Sequence, residues 1–73
     1  MNKARIGVIG AGHLGKIHLK ILSNLKDEYE VIGFYDSDKE NAKIVNRSLR
    51  IKSFKSIELL IQEVDIIDIV SPT

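Results

Sequence analysis

Three closely spaced glycines follow a short apolar segment near the start of this chain, and few folds accommodate that combination. The segment from Ile6 to Gly15 reads IGVIGAGHLG, so the pattern G-x-G-x-x-G follows directly on the apolar residues. Apolar residues at helical spacing begin immediately after the glycines. A strand, a glycine-rich turn and a helix in this order are typical of the phosphate-binding turn of a dinucleotide-binding unit. We therefore predict an α/β fold that starts with such a unit.

Strand and helix patterns alternate along the rest of the chain. Apolar runs predict four strands, at residues 5–9, 30–35, 51–54 and 66–70. Parallel strands joined by helices form a sheet with right-handed crossovers. The order β-α-β-α-β-α-β thus predicts part of a doubly wound, Rossmann-like parallel sheet with the strand order 3-2-1-4.

Three helices are predicted between these strands. The first covers residues 13–25, the second begins with a capping box in which Ser37 is the N-cap and Glu40 is at N3, and Ser56 caps the third. Their inner faces are predicted to contain, in chain order, Leu14, Ile17, Ile21, Leu22 and Leu25; Ala42, Val45 and Leu49; and Ile57, Leu60, Ile61 and Val64.

The composition excludes several classes of protein. With 73 residues, 44% of them hydrophobic, and a net charge of +1, the chain is one small unit with no electrostatic reason to bind nucleic acid or an anionic membrane. It has no cysteine, which excludes disulfides and thiolate metal ligands. The N-terminal apolar run is interrupted by glycines and is too short for a signal peptide or a membrane span. We expect a cytoplasmic protein with neither nucleic-acid nor membrane partners.

Each glycine of the turn has a mechanical role in this interpretation. Gly10 permits the tight turn after the strand, Gly12 lets a pyrophosphate approach the backbone, and Gly15 lets the helix pack closely against the sheet. The amides from Gly12 to Gly15, which include those of His13 and Leu14, point unpaired N–H groups and the positive end of the helix dipole toward a phosphate. A turn that merely connects strand and helix is the alternative.

An acidic residue, Asp36, ends the second strand. A carboxylate there accepts hydrogen bonds from the adenosine ribose hydroxyls and repels a 2′-phosphate, which favours NAD over NADP. Ser37 and Lys39 lie just beyond and could receive a 2′-phosphate, so NADP stays open. The alternative is that Asp36 serves only the following turn.

The remaining titratable residues suggest no catalytic or metal site. We expect His13 to contribute only its backbone, and His18 to be a buried histidine bonded to a backbone partner. Two histidines at i and i+5 do not share a helix face, so no metal site is predicted. Asp65 and Asp68 point to opposite sides of a strand and form no acid–base pair. Asp65 is assigned to the turn before the strand, and Asp68 is unexplained apart from a local hydrogen bond.

Four segments together resemble the N-terminal part of the Gfo/Idh/MocA oxidoreductases, the group of glucose–fructose oxidoreductase and inositol dehydrogenase. They are GAGHLGKIH at 10–18, GFYD at 33–36, SIELL at 56–60 and VDIIDIVSPT at 64–73. The resemblance extends over essentially the whole chain. The histidine three residues past the glycine motif and the closing Ser-Pro-Thr loop make it more specific than the glycines alone.

The resemblance implies binding of NAD or NADP, and oxidation or reduction of sugars, cyclitols or related polyols. It also implies that the loop Ser71-Pro72-Thr73 lines the cofactor cleft. The candidate cofactor-binding residues are therefore Gly10, Gly12, His13, Leu14, Gly15, Asp36, Ser37, Ser71 and Pro72. The family's catalytic lysine belongs to a Glu-Lys-Pro motif on the next strand, and its substrate residues lie in a C-terminal domain. We accordingly expect residues 1–73 to be the N-terminal part of a dinucleotide-binding domain, with no catalytic residue and no substrate domain.

Two other functions stay open: a non-catalytic dinucleotide-binding module or sensor, and an S-adenosylmethionine methyltransferase. The helix pattern and the Ser-Pro-Thr loop disfavour the methyltransferase. The strand at 66–70 is predicted to be an open edge, rich in β-branched residues and with Asp68 as its only charge. We therefore expect the isolated 73 residues to form a homo-oligomer, as a two-fold dimer through that edge or through uncovered apolar faces, or else to be marginally stable.

Overall fold

The computed structural model describes residues 3–70 and contains a parallel sheet with helices on both faces. Its elements are, in chain order, β1 (Ala4–Ile9), α1 (His13–Asn24), β2 (Tyr29–Tyr35), α2 (Lys39–Leu49), α3 (Ile57–Glu63) and β3 (Ile66–Ile69). The sheet has three strands in the order β2-β1-β3, and both strand pairs are parallel. A Rossmann-like α/β fold with a parallel sheet is thereby confirmed.

Residues 51–54 do not form the predicted additional strand. They meet the sheet through one isolated bridge between Ser53 and Phe34. The Phe34 N–H donates to the Lys52 carbonyl (3.0 Å), and the Phe54 N–H donates to the Phe34 carbonyl (2.8 Å). The five residues between the C-cap of α2, Arg50, and the N-cap of α3, Ser56, make only these two backbone bonds with β2, which are too few for a strand ladder. The predicted four-stranded sheet of order 3-2-1-4 is therefore not formed in residues 3–70.

The first two helices cover one face of the sheet. Val8 pairs in register with Phe34 and with Asp68, so these three side chains point to the same face. There Val8 and Phe34 pack with Leu19 of α1 and Val45 of α2, and these four side chains are fully buried. The centre of the core thus lies between the sheet and the α1–α2 layer.

The third helix covers the opposite face, where two paired glycines leave room for it. Gly7 of β1 and Gly33 of β2 are register partners. A Cβ on Gly7 would come within 2.7 Å of the buried Leu60 side chain of α3, and one on Gly33 would meet the Phe54 ring. Absence of side chains at both positions therefore lets Leu60 and Phe54 pack directly against the sheet.

The buried side of α1 is not the predicted one. Leu14, Ile17, Ile21 and Leu25 are all exposed, whereas Gly15 and Leu19 are buried. Of the five residues predicted for the inner face, only Leu22 packs against the core, and it is partly buried. A Cβ on Gly15 would strike the carbonyl oxygen of Gly10, so this contact turns the Gly15 side of the helix toward the sheet. At 100° per residue, the exposed apolar stripe lies about one third of a turn around the helix from the buried side.

The other helices agree better with the sequence. Ala42 and Val45 of α2 are buried, and Leu49 packs half-buried against the core. In α3, Leu60 is buried but Ile61 is exposed, contrary to the prediction.

The helix caps are confirmed in one case and shifted in the other. The Ser56 hydroxyl accepts from the Leu59 N–H (3.2 Å), as expected. The cap of α2 is Asp38 rather than Ser37: its Oδ1 accepts from the N–H groups of Glu40 and Asn41, both at 3.1 Å. The Asp38 N–H donates to Asp36 Oδ1 (3.1 Å), and this tight turn delays the helix start by one residue.

Candidate functional site

An open cleft of about 870 Å³ lies where the strands of the sheet end and α1 begins. The carboxyl ends of parallel strands are where open α/β sheets bind ligands. Seven of the nine predicted cofactor-binding residues line this cleft: Gly10, Gly12, His13, Leu14, Gly15, Asp36 and Ser37. The other two, Ser71 and Pro72, lie outside the described residues. The cleft is also lined by the end of β3, which contributes Ile69.

Two glycines of the turn are required by the protein's own packing. Gly10 has φ +96, a conformation that L side chains rarely adopt, and a Cβ there would strike the Val70 carbonyl oxygen. Its N–H donates to the Tyr35 carbonyl (2.8 Å), which joins the turn to the end of β2. Gly15 is packed against the carbonyl oxygen of Gly10. The close contact that Gly15 permits is therefore with the glycine turn rather than with the strands of the sheet, which had been predicted.

The middle glycine has no such internal reason. Gly12 has φ −68 and ψ −165, which other residues can adopt, and a Cβ there would meet no atom within 4 Å. It is exposed and lines the cleft. The space that a side chain at Gly12 would occupy is therefore open to a ligand, which fits a group that must touch the backbone.

The N-terminus of α1 is suited to an anion. Asp38 and Ser56 cap α2 and α3 with side-chain oxygens, whereas the N-cap of α1 is Gly12, which makes no side-chain cap bond. No acidic residue occurs in the first turn of α1. The first-turn N–H groups have no partner within the helix and carry the positive end of its dipole. They face the cleft beside Gly12, the arrangement that binds phosphate groups.

The half-buried Asp36 follows β2 directly and lines the same cleft as the glycine turn. Its Oδ1 accepts from the Asp38 N–H (3.1 Å), and its Oδ2 accepts from Asn41 Nδ2 (2.7 Å). Asp36 thus does serve the following turn. An ionised carboxylate has about four acceptor positions, so capacity remains for ribose hydroxyls from the cleft.

One residue of the cleft escaped the sequence analysis. The Asn41 side-chain amide donates to the Asp36 carboxylate and also to the Ala11 carbonyl, each at 2.7 Å. Asn41 belongs to the first turn of α2, and Ala11 lies inside the glycine motif. Only the spacing of Asn41 after Asp36 was visible in the sequence, and it does not indicate a contact with a residue 30 positions away.

The prediction for His18 was wrong. The ring is partly exposed, and its Nδ1 lies 2.7 Å from Asp68 Oδ2, so its partner is a side chain of β3 rather than a backbone group. This contact also explains Asp68, which the sequence left without a role. Asp65 belongs to the turn before β3, as predicted: it accepts from the Arg5 N–H (3.2 Å), and its own N–H donates to the Arg5 carbonyl (2.8 Å).

Residues 3–70 contain neither a metal-ligand cluster nor a helix that could span a membrane. No three His, Asp or Glu side chains in this part of the chain come together in a group that could hold a metal ion. None of its helices is long and apolar enough to cross a membrane.

Comparison with known proteins agrees with this geometry. Residues 4–73 match the model of a family described as "oxidoreductase family, NAD-binding Rossmann fold". The UDP-N-acetylglucosamine 3-dehydrogenase of Acidithiobacillus ferrooxidans is 39% identical over 69 residues, which are 94% of this chain and 21% of that protein. The glucose-6-phosphate 3-dehydrogenase of Bacillus subtilis is 34% identical over 68 residues, which are 93% of this chain and 19% of that protein.

Solved structures show the same likeness. A structure of the Acidithiobacillus enzyme superposes with a TM-score of 0.85 at 38% identity, covering 100% of this chain and 23% of that one. The WlbA dehydrogenase of Bordetella pertussis, in complex with NADH and UDP-GlcNAcA, superposes with a TM-score of 0.82 at 23% identity, covering 97% and 22%. The second likeness shows the shared fold. The chain thus spans about a fifth of the length of the curated relatives that it matches.

Proposed function

This chain belongs to the Gfo/Idh/MocA family of NAD-binding oxidoreductases, and we propose that it forms the NAD-binding part of a sugar dehydrogenase. The open space in front of Gly12, beside the uncapped N-terminus of α1, is the observation that carries the proposal. The packing of the protein gives no reason for a glycine at that position, and a bound pyrophosphate gives one.

In this proposal, different residues of the cleft bind different parts of the cofactor. The N–H groups of His13, Leu14 and Gly15 donate to the pyrophosphate, and Gly12 permits its approach. Asp36 accepts from the adenosine ribose hydroxyls, and its charge disfavours the 2′-phosphate of NADP. Ser37 adjoins the ribose site, and Ser71 and Pro72, which the family resemblance assigns to the lining of the cofactor cleft, complete the proposed set. NAD itself supplies hydride transfer when it is bound.

The substrate class follows from the relatives. Both curated relatives are named as dehydrogenases that act at position 3 of a sugar derivative. We propose that the whole protein transfers a hydride between NAD and a sugar or related polyol, and that it acts in the cytoplasm as a homo-oligomer. None of the residues described here is assigned a catalytic role.

Calorimetric titration of the purified protein with NAD⁺, NADP⁺ and S-adenosylmethionine tests the proposal. We expect saturable binding of NAD⁺, weaker binding of NADP⁺ and none of S-adenosylmethionine. Tighter binding of S-adenosylmethionine than of NAD⁺ would contradict it. Binding of NAD⁺ by the whole protein, without its reduction by any sugar or polyol, would instead favour the non-catalytic module.

A further inference from the structure

We propose that Asn41 is a positioning residue, which fixes the ribose-binding carboxylate of Asp36 relative to the glycine turn and thereby sets the affinity for NAD. This inference rests on the proposed cofactor site and adds a residue to it. The structure places one neutral amide between the two halves of that site.

The contacts of Asn41 tie three parts of the chain together. Its Nδ2 lies 2.7 Å from Asp36 Oδ2 and 2.7 Å from the Ala11 carbonyl oxygen, so each N–H of the amide has its own acceptor. Its backbone N–H donates to Asp38 Oδ1 (3.1 Å), which holds the residue at the start of α2. Because Ala11 is fully buried, its carbonyl is a fixed reference point for the carboxylate.

We expect removal of the Asn41 amide to change the orientation of the Asp36 carboxylate more than the stability of α2. The start of α2 is already capped by Asp38, so the helix does not need the Asn41 side chain. Asp36 Oδ2 and the Ala11 carbonyl oxygen, in contrast, are two acceptors held by the same donor. Without it they repel each other, and the carboxylate keeps only its bond from the Asp38 N–H. It then turns out of the orientation in which ribose hydroxyls can bind.

A neutral donor suits this position electrostatically. An amide orients the carboxylate without cancelling its charge, so Asp36 still repels a 2′-phosphate. A lysine or arginine would orient it equally well but would offer a cation to that phosphate. Asn41 therefore supports both the affinity for NAD and the discrimination against NADP.

The test is a double-mutant cycle on NAD⁺ affinity, measured by calorimetry on the purified protein. We expect Asn41→Ala to raise the Kd for NAD⁺ about tenfold, the size expected for a hydrogen bond to a charged group. In an Asp36→Ala background the same change should alter Kd less than about twofold, because Asn41 then has no carboxylate to orient. An equal rise in both backgrounds would overturn the inference, because a merely structural effect does not depend on Asp36.

Asn46 provides a matched control in the same helix. Its side-chain amide also donates to a backbone carbonyl, that of Ile51 (2.8 Å), but it does not line the cleft. Asn46→Ala should leave the Kd for NAD⁺ within about twofold of the wild type. An equal loss of affinity in Asn46→Ala and Asn41→Ala would overturn the inference.

A second variant covers the case in which Asn41→Ala shows no cooperative melting transition. Asn41→Asp has the same shape and is favourable near a helix N-terminus, but it replaces the donor by a carboxylate next to Asp36. Its Kd should rise at least as much, and unchanged affinity would overturn the inference. If the wild type bound no NAD⁺, the proposed function would fail and the inference with it. If the wild type bound NAD⁺ and Asn41→Ala bound it equally well, only the inference would fail.

Discussion

The three glycines of the turn differ in which atoms an added side chain would meet. Substitutions at these positions can therefore distinguish a loss of cofactor binding from a loss of folding. A Cβ on Gly12 meets open space, whereas one on Gly15 strikes the Gly10 carbonyl oxygen. We expect Gly12→Val to retain a cooperative melting transition and to lose NAD⁺ affinity, because its side chain occupies the space needed by the pyrophosphate. Gly15→Ala should lower the free energy of unfolding by at least about 1 kcal/mol. Thermal melting and calorimetry of both variants check this, and unchanged NAD⁺ affinity in Gly12→Val would show that the turn is only a connector.

In the proposed site, selectivity between NAD and NADP is assigned to one charge at the end of β2, that of Asp36. We expect Asp36→Ser to reduce the preference for NAD over NADP by about 1–3 kcal/mol, because it removes both the ribose acceptor and the repulsion of the 2′-phosphate. The ratio of the two dissociation constants measures this. Asp27→Ser removes the same charge from the loop between α1 and β2, outside the cleft, and should leave the ratio unchanged. Tighter NADP⁺ than NAD⁺ binding by the unmodified protein would contradict the assignment.

At the scale of elements, local sequence patterns predicted the existence and type of helices and strands better than the side that a helix turns toward the sheet. The glycine turn, the cap at Ser56 and the three strands of the sheet are visible in short windows of sequence, because each depends on neighbouring residues. The buried side of α1 is not visible, because a contact of Gly15 with the turn decides it against the larger stripe of Leu14, Ile17 and Ile21. Asn41 and the His18–Asp68 pair were missed for the same reason: their partners are far away in sequence.

The contact of His18 with Asp68 joins α1 to β3, and its contribution to stability can be isolated. The two side chains are partly exposed, at 37% and 28%, so we expect a coupling free energy of only about 0.2–1 kcal/mol. Chemical denaturation of His18→Ala, Asp68→Ala and the double variant gives this value. Asp65 contacts the backbone of Arg5 instead, so His18→Ala and Asp65→Ala should be additive. Additivity of the His18 and Asp68 changes as well would mean that the contact contributes nothing.

At the scale of the whole molecule, six of the nine exposed large apolar side chains in residues 3–70 lie on the side of β3, and the other three, Ile44, Leu59 and Ile61, lie on α2 and α3. His18 sits on α1 between the buried Leu19 side and the exposed stripe of Leu14, Ile17, Ile21 and Leu25, and it contacts β3. The stripe therefore lies on the β3 side of α1. Ile66 and Ile69 of β3 are exposed as well, at 41% and 69%. Ile66 points to the α1 face of the sheet and Ile69 to the opposite face, so the apolar surface on this side consists of the stripe, Ile66 and the outer edge of β3. Monomers rarely leave large apolar surfaces uncovered.

Self-association through this surface is the expected consequence. Within residues 3–70, β3 pairs only with β1, so its outer edge offers unpaired N–H and C=O groups to a second copy of the chain. We expect sedimentation analysis of residues 1–73 alone to show concentration-dependent dimers. Ile69→Lys should shift the equilibrium toward monomers, because a charge on an edge strand opposes pairing. Ile44→Lys adds the same charge at an exposed position of α2, away from β3, and should leave the dimer intact. A monomer at all concentrations, or equal effects of the two lysines, would contradict an interface at β3.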